Sequence, residues 1–149
     1  MNENAINVFS KFKTLISSEN FTADEVLKLN DKLGLYFANS REGTKENSRT
    51  QVRKFFDLVK KTKASADSEK SSPEAVKVKL RLLQAQVTYA KARDIISEDF
   101  KELFDLSIEK IIKSSDEKAL QKFSTFFESF YAYFYFHTEA KKNKGGKQS

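Results

Sequence analysis

Apolar residues recur along this chain every three or four positions, which is the spacing of amphipathic α-helices rather than the strict alternation of strands. Capping residues divide this pattern into about six helical segments. The first segment covers residues 5–17, and the second begins at Thr22, where Glu25 completes a capping box. The second segment fades near residue 40 and is broken at Gly43. The N-terminal third is therefore predicted to be helical.

The middle of the chain predicts two more helices with a polar segment between them. Ser48 and Gln51 form a capping box before apolar residues at helical spacing. Ser72 followed by Pro73 marks the next helix start, because proline is well tolerated in the first helical turn. Residues 62–72 are small and polar, which indicates a fraying helix end followed by a mobile loop.

The C-terminal third predicts two helices, which begin at Ser97 and Ser115. The last helix contains nine aromatic residues between positions 123 and 136, more than one helix face can bury. It is therefore either central and covered on several sides or partly exposed for a partner. Residues 133–136 also fit a short strand, but no second strand is evident for it to pair with.

We therefore predict an all-α protein, a compact bundle of about five to six helices with no sheet. The length of 149 residues suits a single helical domain, which we place at residues 1–140. Residues 141–149 are basic and contain no large apolar side chain, so we expect a disordered tail there. No apolar stretch reaches the ~18 residues that a membrane span needs, so we expect a cytoplasmic location.

The composition excludes several classes of functional site. The chain has no Cys, which excludes disulfides, thiol catalysis, iron–sulfur clusters and Cys-based zinc sites. Its single histidine, His137, cannot form a His pair around a metal. No Gly-rich phosphate loop or nucleophile elbow is evident. Acidic pairs such as Glu98 and Asp99 follow serine caps, where they stabilise a helix N-terminus; acid–base or Mg²⁺ chemistry is the alternative. We expect no enzyme activity, no cofactor and no metal.

The net charge of +6 comes entirely from the middle third of the chain. Residues 1–48 contribute −1, residues 49–96 contribute +7, and residues 97–149 contribute 0. The helix after Ser72 is the clearest case, because residues 75–93 contain no acid. Its basic residues are Lys77, Lys79, Arg81, Lys91 and Arg93, and the preceding helix adds Arg49, Arg53, Lys54, Lys60 and Lys61.

One face of the helix after Ser72 has the composition of a phosphate-binding surface. Lys77, Arg81, Gln84, Thr88 and Lys91 follow one another at spacings of four and three. On such a face Lys and Arg supply charge, Gln and Thr supply hydrogen bonds, and no carboxylate repels the strand. The apolar positions of this helix form a narrow line that we expect to face the core.

Two other interpretations of this charge remain open. The cations form an ordinary solvated surface if they are balanced by the acids of the following helix, in the same molecule or in a neighbouring copy. Those acids are Glu98, Asp99, Glu102, Asp105 and Glu109. Alternatively, the cations bind an acidic protein or a membrane surface.

Three segments together resemble one known family in their order, spacing and helical setting. They are residues 50–57 (TQVRKFFD), residues 79–93 (KLRLL followed by VTYAKAR) and residues 127–134 (FESFYAYF). Over roughly residues 48–137, the chain resembles the small subunit of type III-A CRISPR–Csm effector complexes. This resemblance implies a compact helical bundle that is not itself a nuclease, with cleavage and signalling performed by other subunits.

The resemblance further implies that several copies stack head to tail into a filament beside the backbone subunits and the large subunit of the complex. The filament would hold the sugar-phosphate backbone of guide and target RNA without reading sequence. Charge and resemblance together predict these RNA-binding residues: Arg49, Arg53, Lys54, Lys77, Arg81, Lys91 and Arg93. The alternative is a helical protein–protein adaptor that uses its aromatic C-terminal helix and has no direct role with nucleic acid.

Overall fold

The computed structural model describes residues 3–18, 22–41, 44–70, 72–114 and 118–147. These residues form seven α-helices and no strand. The helices are α1 (Glu3–Ser17), α2 (Ala23–Lys28), α3 (Asn30–Asn39), α4 (Arg49–Ser68), α5 (Pro73–Ala92), α6 (Glu98–Lys113) and α7 (Ala119–Lys147). The predicted all-α class is confirmed, with seven helices in place of five to six.

The additional helix arises because the predicted second helix is interrupted at Leu29. This residue is both the C-cap of α2 and the N-cap of α3, and its backbone dihedral angles stay helical. Its N–H donates to the carbonyl oxygen of Val26 at 3.1 Å, a tighter three-residue bond that breaks the α-helical series. The apolar pattern runs through this break unchanged, so the break is invisible in the sequence.

Four predicted helix starts are confirmed by their capping hydrogen bonds. In each case the side-chain oxygen of the cap accepts a hydrogen bond at 3.2 Å from the backbone N–H three residues later. The caps are Thr22, Ser48, Ser72 and Ser97. The predicted start at Ser115 lies outside the described residues.

Two polar segments are helical over most of their length. α4 continues to Ser68, with Ala66 buried and Lys63 paired with Asp67 one turn later, where a fraying helix end and then a mobile loop were predicted. α7 continues to Lys147, into the stretch predicted as a disordered tail. Ala, Lys and Glu are good helix formers, so a helix extends beyond its last large apolar residue. The division into a domain at residues 1–140 and a tail at 141–149 stays a prediction.

The core is centred on α7, which packs against α2, α3, α4 and α6. Five of its nine aromatic side chains are buried: Phe123, Phe126, Phe127, Phe130 and Phe134. They interlock with rings from other helices, as in the 5.0 Å centroid distance between Phe104 and Phe127. Tyr133, Tyr135 and Phe136 are exposed, so the helix is central and also partly open to solvent. The short strand considered at residues 133–136 is wrong, because these residues are helical.

Candidate nucleic-acid interface

The start of α4 is fixed by Asn47, a buried residue with a positive φ of 55°. Its amide nitrogen Nδ2 donates to Oγ of Ser97 at 2.8 Å, and its Oδ1 accepts from the backbone N–H of Ser97 at 3.0 Å. Its own backbone N–H donates to the carbonyl oxygen of Ile95 at 2.9 Å. These three bonds attach the residue before the α4 cap to the start of α6. The orientation of α4 therefore follows that of α6.

The outward face of α4 carries four exposed cations, while Val52, Phe55 and Val59 on the opposite face are buried. The cations are Arg53, Lys54, Lys60 and Lys61. Among the residues that the structure describes, none of the four has an ion-pair partner, and Asp57 on the same face does not pair with Arg53. The ammonium of Lys60 lies 5.2 Å from the centroid of the Phe56 ring. This face is therefore a cationic surface open to solvent.

The predicted phosphate-binding line on α5 is not fully exposed to solvent, because it lies next to α6. Arg81 forms an ion pair with Glu109 of α6 and donates to Oε1 of Gln84 at 2.9 Å. Nε2 of Gln84 donates to Oδ1 of Asp105, also on α6, at 3.0 Å. One acid of α6 thus neutralises one cation of α5 within the molecule, which agrees in part with one of the interpretations left open by the sequence.

The ends of the same line differ from its centre. Nζ of Lys91 lies 3.7 Å from Oδ1 of Asp94, and Oγ1 of Thr88 donates to the backbone oxygen of Gln84 at 2.9 Å. Lys77 is exposed and has no polar partner within the described ranges. Of the three cations on this line, Lys77 is the one without a partner among the described residues.

The other flank of α5 faces α4. Nζ of Lys79 lies 3.1 Å from Oε2 of Glu69 and donates to Oγ of Ser65 at 3.0 Å. The hydrogen bond from Lys79 lowers the pKa of Glu69. Farther along, the guanidinium of Arg93 lies 5.6 Å from the centroid of the Tyr89 ring. The cations of α5 are thus divided between two edges.

Arg49 is bound to α7. Its Nη2 lies 2.6 Å from Oε1 of Glu139, and its guanidinium lies 4.4 Å from the centroid of the Tyr135 ring. Burial, with a smaller contribution from the nearby charge of Arg49, lowers the pKa of Arg41. Arg49 therefore helps to attach the start of α4 to α7.

The seven predicted RNA-binding residues differ in whether they have a partner within the molecule. Three are exposed and unpaired within the described structure: Arg53, Lys54 and Lys77. Three are ion-paired within the molecule, namely Arg49, Arg81 and Lys91, and Arg93 lies over a tyrosine ring. The prediction of seven omitted Lys60 and Lys61, although each lies seven residues after a predicted cation and therefore on the same helix face.

The outermost side chains of α5 are apolar. Val78, Leu82 and Tyr89 are exposed between the two basic edges. Leu80, Leu83, Val87 and Ala90 form the expected core line. The expected core line is confirmed, and α5 carries a second, exposed row of apolar residues outside it.

The family of the chain follows from a comparison with protein-family models. The model of the Csm2 Type III-A family matches residues 23–140. This chain belongs to the Csm2 Type III-A family. It is therefore a small subunit of a type III-A CRISPR–Csm complex, an antiviral defence system, and associates with other Csm subunits. No curated protein and no solved structure matches the chain.

The resemblance inferred from three segments is thus confirmed, and the Csm2 match begins earlier, at residue 23. All of α4, α5 and α6 lie inside the matched range, as do the seven predicted RNA-binding residues. Within the described residues of this Csm2 chain, no group of three or more His, Asp or Glu side chains is arranged to hold a metal. Nor is any helix in that part of the chain sufficiently long and apolar to span a bilayer.

The single histidine has a partner that is distant in sequence. Nε2 of His137 on α7 lies 2.6 Å from Oδ1 of Asp31 on α3. Asp31 is exposed and the contact joins two helices that pack closely. We therefore attribute the contact between His137 and Asp31 to the packing of α7 against α3.

Proposed function

We propose that this Csm2 chain is a non-catalytic, cytoplasmic subunit that binds the sugar-phosphate backbone of guide and target RNA without sequence specificity. The observation that supports this function most strongly is the outward face of α4, where Arg53, Lys54, Lys60 and Lys61 are exposed and have no ion-pair partner among the described residues. Contacts from Lys and Arg to phosphates position a protein on a nucleic acid and carry no sequence information directly.

The spacing of these cations suits an extended polyanion. Arg53 and Lys60 are seven residues apart, as are Lys54 and Lys61, which is about 10 Å along a helix axis. The two ends of this face, Arg53 with Lys54 and Lys60 with Lys61, therefore contact separate phosphates along a strand. Since Asp57 is the one acid within the segment 53–61, the face keeps a strong excess of positive charge.

The ion-paired cations have a secondary role in this proposal. Exposed ion pairs contribute only about 0–1 kcal/mol to stability, so a phosphate can replace the carboxylate partner at little cost. Arg81 and Lys91 thus join the RNA contact after α4 has bound. Lys77, which is unpaired, and Arg93 extend the surface along α5.

Head-to-tail stacking of copies into a filament is part of the same proposal and rests on the family resemblance. Two acids of α6, Glu109 and Asp105, are contacted by Arg81 and Gln84 within one molecule. Because exposed ion pairs are weak, the opposite charges of α5 and α6 can still serve a contact between copies.

The proposal is tested by measuring the affinity of the purified chain for two RNAs of equal length and unrelated sequence. We expect equal affinities, and a large loss for the variant Arg53→Ala/Lys54→Ala/Lys60→Ala/Lys61→Ala. The matched control removes four exposed lysines elsewhere: Lys11, Lys28, Lys32 and Lys113. Equal losses for the two variants would show that only net charge matters and would contradict a defined RNA face on α4.

A second candidate function is a protein–protein adaptor without a role in RNA binding. The observation that favours it is the exposed group of Tyr133, Tyr135 and Phe136 on α7. An adaptor predicts that Tyr133→Ser/Phe136→Ser releases the chain from the assembled complex, and that the isolated chain has no RNA affinity. Retention of this variant in the complex would exclude the adaptor function for α7.

A further inference from the structure

α5 is apolar on two opposite faces, and one of them is exposed. The exposed face, which we name the α5 crest, consists of Val78, Leu82 and Tyr89, with the small residues Ala85 and Ala92 between and after them. The three larger side chains are 54%, 60% and 64% exposed. Spacings of four, three, four and three residues place all five on one side of the helix. Single exposed apolar residues are common, but a continuous exposed row on one helix indicates a contact surface.

Positive charge borders the crest on both edges. Lys77, Arg81 and Lys91 lie along the edge next to α6, and Lys79 and Arg93 lie along the edge next to α4. Residues 75–93 contain no acid. Lys77 has no partner in the part of the chain that the structure describes, and Arg93 contacts only a tyrosine ring there. Lys79, Arg81 and Lys91 are ion-paired within the molecule, so Lys77 and Arg93 supply the net positive charge of a rim around an apolar centre.

We propose that the α5 crest docks an acidic amphipathic helix of another protein subunit of the complex. Apolar side chains of that helix would cover Val78, Leu82 and Tyr89, and its carboxylates would reach the cationic rim. This assignment rests on charge complementarity and on the membership of the chain in a multi-subunit family. It does not rest on RNA binding by α4, but on α5 a partner helix and RNA would compete for the same rim cations.

Other occupants fit the crest less well. A second copy docked symmetrically through the same face would place two cationic rims against each other. An RNA backbone would bring phosphates to the rim but would leave the apolar centre uncovered. A helix that lies on a membrane presents a broad apolar face. The crest is too narrow for this, because the other apolar face of α5 is buried in the core.

The experiment uses three fluorescent synthetic helical peptides and the full chain. The first peptide has a Leu stripe flanked by Glu, the second has Lys in place of every Glu, and the third has Ser in place of every Leu. We expect the Glu peptide to bind at least tenfold more tightly than either of the others. Leu82→Ser/Tyr89→Ser should weaken this binding at least tenfold, because well-packed apolar anchors dominate such interfaces.

The matched control is Leu35→Ser, which changes an exposed apolar residue of α3 and should leave peptide binding unchanged. Circular dichroism of each variant checks the helix content, and Val78→Ser is a second crest variant if the double variant loses helix. Equal affinity for the Glu and Lys peptides, or equal affinity of wild type and crest variant for the Glu peptide, would overturn the proposal.

Two further measurements separate the other occupants. If the crest variant loses RNA affinity as strongly as the α4 variant, the crest belongs to an RNA surface and the proposal is wrong. It is also wrong if the chain binds phosphatidylglycerol vesicles through the crest and does not bind the Glu peptide. In the reconstituted complex, we expect the crest variant to be lost from the assembly while the free chain keeps its RNA affinity.

Discussion

The guanidinium of Arg81 on α5 forms an ion pair with the carboxylate of Glu109 on α6. Both side chains are partly exposed, at 51% and 36%, so the pair is accessible to solvent and to ligands. It lies within the line of residues that the sequence predicted to bind phosphates. The acid of a neighbouring helix therefore neutralises a cation that the sequence alone assigned to RNA.

Removing the carboxylate of Glu109 should strengthen RNA binding. In Glu109→Gln, Arg81 loses its ion-pair partner and the net charge of the surface rises, so we expect tighter binding at low salt by fluorescence anisotropy. The free energy of unfolding should change by less than about 1 kcal/mol, because exposed ion pairs contribute little. The control is Glu128→Gln, the same charge change at an exposed position of α7. Equal gains for both variants would show that release of Arg81 has no specific effect.

Asn47 should be one of the most sensitive positions outside the core. Asn47→Ala removes both side-chain hydrogen bonds to Ser97 and leaves a residue with a Cβ at a φ of 55°. We expect a loss of about 2–4 kcal/mol in the free energy of unfolding, measured by urea denaturation. Asn47→Gly loses the same bonds without the backbone strain, so its stability should fall between that of wild type and that of Asn47→Ala. A Gly variant as stable as wild type would show that the side-chain bonds contribute nothing.

Gly34 allows α3 to approach the backbone of α7. A Cβ at this position would lie 2.7 Å from the backbone nitrogen of Phe134 and 2.8 Å from the carbonyl carbon of Tyr133. Gly34→Ala should therefore destabilise the protein by about 1–3 kcal/mol, although alanine is the better helix former. The control is Leu35→Ala at the exposed neighbouring position. Its free energy of unfolding, measured by urea denaturation, should change by less than about 0.5 kcal/mol. Stabilisation by Gly34→Ala would contradict the close approach.

Tyr36 should make the protein less stable in alkaline solution. Burial raises the pKa of the Tyr36 hydroxyl above its usual value, and the hydrogen bond to Asp99 adds to this shift. Because the folded state keeps this hydroxyl protonated, its contribution to stability is complete below the usual pKa of about 10 and is lost as the pH rises beyond it. Urea denaturation of wild type and Tyr36→Phe at a series of pH values measures this. The variant should lose less stability above pH ~10, and equal losses in both proteins would contradict this account.

The local signals in the sequence were sufficient for most of the fold. The starts of α4, α5 and α6 each depend on one serine and the residues just after it, so they were predictable without knowledge of the tertiary structure. The break at Leu29 was not, because the apolar pattern is the same on both sides of it. The extension of α4 to Ser68 was also missed, because its last turns contain no large apolar residue and are stabilised by side-chain pairs such as Lys63 with Asp67.

The candidate site was less predictable, because it depends on contacts between helices. Helical spacing correctly placed Lys77, Arg81 and Lys91 on one face, but spacing within α5 does not show which helix that face borders. The partner of Arg81 is 28 positions away in sequence. Val78, Leu82 and Tyr89 also follow helical spacing, and their exposure is evident only once the packing of α5 is known.

The central claim is that the outward face of α4 holds an RNA backbone by charge, and the salt dependence of RNA affinity tests it most directly. Binding is measured for wild type and for Arg53→Ala/Lys54→Ala/Lys60→Ala/Lys61→Ala between ~50 and ~200 mM salt. The four cations of α4 should contribute roughly −3 per decade of salt to the slope of log K for a single strand, and contacts of α5 would add to it. The variant should lose the α4 contribution. An unchanged slope in the variant would contradict the claim.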